Sequence, residues 1–129
     1  MAGDLLLDTS LVVDVFSSNP AAEQVVEDAD RLFLPVPALG ELHFGVRRSR
    51  RPDASLAQLA SFVALVRVLD CDAETARLYA NVRDGLRAKG RPVPENDIWI
   101  AAIARQHGLT VATRDAHFGE ISGLTLVSW

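Results

Sequence analysis

Leu5-Leu6-Leu7-Asp8-Thr9-Ser10 is an apolar run that breaks at once into an acid and two hydroxyls. A continuous apolar run is what a parallel strand covered on both faces requires. In open α/β sheets, ligands bind just past the carboxyl ends of such strands. Asp8 therefore stands where a core stops and chemistry can begin. Asp, Thr and Ser are also good helix caps, and a helix starting near Leu11 would use one. On this stretch alone both readings of Asp8 stay open.

Outward from that strand, apolar spacing predicts further elements. A short helix over Leu11–Phe16 is followed by a break at Ser17-Ser18-Asn19-Pro20 and a helix over Ala21–Ala29. Arg31–Leu34 reads as a second strand stopped by Pro35. Pro37 opens a helix to about Arg51, Pro52 stops it, and Asp53 caps the next, with Leu56, Leu59, Phe62, Val63 and Val66 inward. Arg67–Asp70 reads as a third strand. Asp72 caps a long helix that Gly90 closes after Lys89. A helix from Glu95 or Asn96 to His107 is closed by Gly108. Leu109–Thr113 and Leu124–Ser128 read as the last strands, with a turn at Asp115–Phe118 between them. Strands alternating with helices imply an α/β, three-layer α/β/α sandwich with a mostly parallel central sheet.

The 129 residues fit one domain, 1–129, and 49% hydrophobic residues supply its core. No apolar run approaches the roughly 18 residues that span a bilayer. The N-terminus lacks the basic region of a signal peptide. Cys71 is the only cysteine, which excludes an internal disulfide and a multi-cysteine zinc site. It suits a reducing cytoplasm and reads as a small buried hydrophobe. The net charge of −4 does not exclude nucleic acid, because positive charge is clustered. Arg47, Arg48, Arg50 and Arg51 form one group, and Arg87, Lys89 and Arg91 a second. Each is either a solvated helix end or a phosphate-contacting rim.

Four acids stand where the elements make them conspicuous: Asp8 after the first strand, Glu41 on the third helix, Asp97 opening an apolar helix, and Asp115 after the fourth strand. In a parallel sheet, strand C-ends and the following helix N-ends share one edge, so these acids can converge. Each also has a local explanation as a dipole, turn or solvated residue. Crowded carboxylates raise one another's pKa, and a divalent ion removes that cost. Oxygen donors without thiolates suit Mg²⁺ or Mn²⁺. Such a site fits metal-assisted phosphodiester hydrolysis.

Four stretches now carry a resemblance. They are Leu-Leu-Asp-Thr-Ser at 6–10, Pro-Ala-Leu-Gly-Glu-Leu-His-Phe-Gly at 37–45, Asn-Asp-Ile-Trp-Ile-Ala-Ala-Ile-Ala at 96–104 and Ala-Thr-Arg-Asp-Ala-His-Phe at 112–118. Together they resemble PIN-domain ribonucleases of the VapC type, the toxin half of bacterial toxin–antitoxin pairs. The resemblance implies a PIN-like fold and an endoribonuclease. Asp8, Asp97 and Asp115 would hold Mg²⁺ or Mn²⁺, and Glu41 would position water or a second ion. Thr9 or Ser10 and Thr113 match supporting hydroxyls. It further implies RNA as substrate, a small VapB-like antitoxin and a homodimer, with apolar helix faces near Phe44 and Val46 as its interface. An antitoxin would inhibit by placing an arginine or lysine among the acids. Arg47, Arg48 and Arg114 are the candidate RNA contacts.

The chain departs from the family pattern at Glu95, an extra acid that would either compete for metal or face solvent. Two readings compete with the nuclease. One is a non-catalytic PIN-fold module binding antitoxin or RNA. The other is a phosphate hydrolase with Asp8 as nucleophile, which lacks a second Asp at Ser10 and a lysine after a late strand. His43 and His107 are expected away from the acids, and His117 is expected to pack or bond near them. Asp14 is expected to be solvated or salt-bridged.

Overall fold

The computed structural model describes residues 3–129. Five strands form one sheet: β1 (Asp4–Leu7), β2 (Arg31–Pro35), β3 (Arg67–Leu69), β4 (Thr110–Ala112) and β5 (Leu126–Val127). Six helices flank it: α1 (Thr9–Phe16), α2 (Pro20–Asp28), α3 (Val36–Arg47), α4 (Pro52–Val63), α5 (Ala73–Lys89) and α6 (Glu95–His107). A 3₁₀ turn, Ala116–Glu120, joins β4 to β5. The strand order is β3-β2-β1-β4-β5, and every pairing is parallel. The sheet is thus wholly parallel, and β5 lies at its edge as expected.

β1 is central because its side chains can be covered on both faces. Leu5, Leu6 and Leu7 are completely buried, and they pair with β2 on one side and β4 on the other. Strand order reverses between β1 and β4. In doubly wound sheets that reversal leaves a crevice beyond the strand ends. Asp8 follows β1, and Thr113 to Asp115 follow β4, so both acids stand at that crevice.

α6 is apolar nearly all round: Ile98, Ile100, Ala101, Ala102, Ile103 and Ala104 are all buried. Such a helix belongs to the core rather than the surface. α5 begins with a reciprocal cap, in which Asp72 Oδ1 accepts from the Thr75 N–H and Thr75 Oγ1 from the Asp72 N–H. It ends at Gly90 with φ +65°, a left-handed turn that glycine takes without strain.

Several local expectations are corrected. α3 stops at Arg47, because Arg48 and Ser49 turn tightly onto the carbonyls of Gly45 and Val46. Pro52 opens α4 rather than ending α3, so Asp53 lies inside the first turn and caps nothing. Proline suits a first helical position, since its missing N–H has no partner there anyway. Pro35 closes β2, and α3 begins at Val36, one residue before Pro37. Leu56 is exposed rather than inward. Cys71 is also exposed, in the connection between β3 and α5. Partial burial, then the charges of Asp70 and Asp72, push its thiol pKa up.

Candidate active site

Asp8 occupies the cap position of α1, yet its side chain makes no capping hydrogen bond. Its N–H still joins β4 through the Ala112 carbonyl at 3.1 Å. The carboxylate is buried, at 4% exposure, and turns toward the crevice. Ser10 Oγ donates to Oδ2 at 3.0 Å and Thr113 Oγ1 donates to the same oxygen at 2.8 Å. Both donors hold one oxygen, which fixes the carboxylate plane. Of the two candidate hydroxyls after β1, Ser10 is therefore the one that reaches Asp8. Thr9 Oγ1 is buried without a partner.

Thr113 also orders the next acid. Its Oγ1 accepts from the Asp115 N–H at 2.9 Å. Asp115 Oδ1 accepts from the His117 N–H at 2.9 Å, and His117 Nδ1 lies 2.8 Å from the same oxygen. Single oxygens of Asp97 and Asp115 and a ring nitrogen of His117 all lie within 4.8 Å of one another. Glu41 approaches from α3, where its Oε1 accepts from Asn96 Nδ2 at 3.1 Å. Asn96 is a site residue that the sequence reading missed.

Asp97 is the electrostatic centre. It is 6% exposed, and its Oδ2 has no hydrogen-bond partner. The nearest imidazole nitrogen, of His117, is 3.9 Å away. Burial, then the hydrogen bond and charge of Asp115, then the charges of Asp8 and Glu41 push its pKa up to about 8. Burial also works upward on Asp115. The His117 N–H, the Asp97 hydrogen bond and the His117 ring outweigh it, and Asp115 ends below its ordinary value. The pair thus splits into a protonated Asp97 and an ionised Asp115. All four predicted acids meet at one edge of the sheet.

The donor set fits a hard dication. It is carboxylates and hydroxyls without thiolate, and it contains a buried carboxylate oxygen that nothing satisfies. Asp97 and Asp115, with the His117 ring nitrogen, lie close enough together to share an ion, and the charges of Asp8 and Glu41 act on the same pocket.

The other candidates fall elsewhere. Arg47 and Arg48 are exposed at the end of α3, about 9 Å along the axis from Glu41 at 1.5 Å per residue. Arg48 lies over the exposed Phe44 ring. Arg114 turns its guanidinium away, donating to both Asp14 oxygens at 2.8 and 2.9 Å. Trp129 Nε1 donates to Asp14 as well, at 2.9 Å. The Trp129 bond first, then Arg114, hold Asp14 below the usual carboxylate range. Because the Arg114 N–H donates to Ser10 Oγ, this network pins the loop bearing Asp115 to α1. Glu95 stays out of the pocket and takes Tyr79 Oη and Arg83 as partners. His43 and His107 are exposed, and neither makes a hydrogen bond or ion pair with the four acids. Lys89, the sole lysine, donates to the Glu120 carbonyl rather than to any acid of the pocket.

Comparison with known proteins gives one family model, the PIN domain, matching residues 5–124. The tRNA(fMet)-specific endonuclease VapC of Shigella flexneri is 32% identical over 127 residues, 96% of each chain. Ribonuclease VapC5 of Mycobacterium tuberculosis is 35% identical over 124 residues, 95% of this chain and 90% of the other. Among solved structures, DNA-bound VapBC from Salmonella typhimurium superposes with a TM-score of 0.88 at 29% identity, covering 98% of both chains.

Proposed function

The chain belongs to the PIN-domain family, and from that premise we propose that it is a Mg²⁺- or Mn²⁺-dependent endoribonuclease acting as the toxin of a toxin–antitoxin pair. One observation carries the metal requirement. Asp97 is buried, crowded by three other acids, pushed up to about 8, and left with an unsatisfied oxygen. No hydrogen bond among the described residues relieves Oδ2.

When bound, a hard dication supplies charge neutralisation, Lewis acidity toward a phosphodiester oxygen and a more acidic water. The chain's own residues prepare the place. Ser10 and Thr113 hold Asp8 by one oxygen. Thr113 also carries the Asp115 backbone, so one hydroxyl sets the distance between two of the acids. Asn96 donates to Glu41 Oε1, which leaves the other carboxylate oxygen to position a water or a second ion in this reading. His117 donates its backbone N–H to Asp115 Oδ1 and sets a ring nitrogen 2.8 Å from the same oxygen, which fixes where that carboxylate stands. Water rather than the ribose 2′-hydroxyl is the nucleophile in this reading: His117 is the one imidazole beside the acids, His43 and His107 lie away from them, and a single imidazole does not supply the acid–base pair that attack by the 2′-hydroxyl needs. The products are then a 5′-phosphate and a 3′-hydroxyl.

The ribonucleases named VapC and the solved VapBC-5 member of the toxin–antitoxin systems of Mycobacterium tuberculosis support a toxin role and an antitoxin as partner. A cationic side chain from such a partner matches a pocket of four acids. Phe44, 61% exposed on α3, supports a homodimer face there. No helix of the described residues is long and apolar enough to cross a membrane.

The test is RNA cleavage with Mg²⁺ or Mn²⁺, with chelator, and for Asp8→Asn and Asp97→Asn. Cleavage to 3′-hydroxyl ends should fall about 10³-fold in each variant, several kcal/mol of lost stabilisation. Activity that survives both chelation and substitution overturns the reading.

A further inference from the structure

We propose that the cleft between α5 and α6 is a second RNA site, which binds a nucleotide of the single strand flanking the scissile bond; this rests on the endoribonuclease reading above. The cleft has a volume of about 480 Å³ and lies outside the acid pocket. Its walls include Glu95 and Ile98, which stand on either side of Asn96 and Asp97 in the first turn of α6. One helical turn therefore presents two residues to the acids and two to the cleft. Glu95 and Ile98 are three residues apart and share a face, so the cleft and the acids flank the same turn, and a strand on the acids would pass round the N-terminal end of α6 to reach it.

The chemistry of the cleft is that of a nucleotide. Its apolar lining is Leu86, Pro92, Val93 and Ile98; Leu86 and Ile98, each 5% exposed, close the floor, and the more open Pro92 and Val93 are what a base would meet. Its rim carries Arg83, Arg87 and Arg91. The first two are one helical repeat apart, on the same face of α5. The third is brought back by the left-handed turn at Gly90, φ +65°. Arg87 and Arg91 belong to the second basic cluster noted in the sequence, which the acid pocket does not use.

The partners of these arginines are replaceable. Arg87 meets Asp84 at 2.7 Å, Arg83 meets Glu95 at 3.4 Å and Arg91 meets Glu120 at 3.7 Å, and both members of every pair are solvent-exposed. Exposed pairs of this kind contribute little, so phosphate oxygens exchange for the carboxylates readily. Beside Arg83, Tyr79 and Trp99 stack with centroids 4.1 Å apart and planes 21° from parallel. These rings pack on each other and do not line the cleft, so its claim on a single strand rests on the cationic rim and the apolar floor. The negative pocket and the positive cleft then divide the work. The first would hold the reacting phosphate once a dication is bound, and the second holds the strand beside it.

The test uses the full chain with chelator present, so that nothing is cut, and a labelled single-stranded RNA of about 16 nucleotides. Arg87→Gln and Arg91→Gln are compared with Arg77→Gln, an exposed arginine on the same helix that pairs with Glu74 outside the cleft. Each cleft variant should weaken binding about fivefold at about 0.1 M salt and reduce the salt slope by about 0.7. Arg77→Gln should change neither. With Mg²⁺ restored, KM should rise by the same factor at unchanged kcat. Cleft variants indistinguishable from Arg77→Gln in both assays overturn the site. An oligo-glutamate that displaces the RNA at equal charge would make the cleft a protein-binding face and also overturn it. Cleavage untouched by the cleft variants would sink the cleft and leave the nuclease. RNA binding that depends on Arg87 and Arg91, in a wild type that cuts no RNA, would do the reverse.

Discussion

β1 has an aspartate at each end, and the two live differently. Asp4, where the strand begins, is met by Arg31, whose Nε and Nη2 both donate to Oδ2, at 3.1 and 2.6 Å. That hydrogen bond, against some burial, lowers its pKa. Asp8, just past the other end, has two hydroxyls and no cation. The contrast extends over the molecule. Asp14, Glu74, Asp84, Glu95 and Glu120 each meet an arginine. Glu41, Asp8, Asp97 and Asp115 meet hydroxyls, an amide, one imidazole and each other. Acids such as Asp53 also lack an arginine and stand in solvent; Glu41 is exposed too, and what sets it apart is that its charge acts on the buried Asp97. Charge alone does not mark a site; charge that is crowded, buried and left uncompensated does.

The largest way to break the comparison is to remove the crowding. Asp97→Asn should raise the metal-free melting temperature relative to the wild type increasingly as pH climbs from about 4 toward 8, and by its full amount above about pH 8. The rise should be of order 1–2 kcal/mol, or roughly 3–8 °C by thermal denaturation in chelator. Most substitutions of a buried polar group lower stability, so the sign is informative. The smallest effect belongs to Asp4→Asn, the same change at the other end of the strand. It should shift the melting temperature less than Asp97→Asn does and in the opposite direction. RNA cleavage and the response to Mg²⁺ should be unchanged.

Much of this was legible because its causes are local. Leu5–Leu7 reads as a covered strand since only burial on both faces tolerates three leucines in succession. Asp72 and Gly90 mark the ends of α5 because caps act within a few residues. The convergence of Asp8, Asp97 and Asp115 followed from the rule that parallel strands deliver their C-ends to one edge. What was missed depends on distance along the chain. Asn96 meets Glu41 across 55 residues, and Trp129 meets Asp14 across 115. Nothing near either residue announces its partner. Pro52 was ambiguous because proline both follows a helix and opens one. The exposure of Cys71 had a signal that went unread, the acids on either side of it. The Arg87–Arg91 cluster was visible as charge, but its apolar floor is made by α6 and the Gly90 turn, which only folding assembles.

The most direct test is to titrate the Asp97 carboxyl by carbon NMR, with and without Mg²⁺. Its unfolded value is the ordinary 3.8 and its folded value is raised to about 8. Between those values the folded chain holds the extra proton, so metal-free stability is full below the lower and falls as pH rises toward the upper. Bound Mg²⁺ should return the carboxyl to the ordinary acid range and abolish that fall. An Asp97 that titrates near 4 without metal, and does not respond to Mg²⁺, would contradict the account.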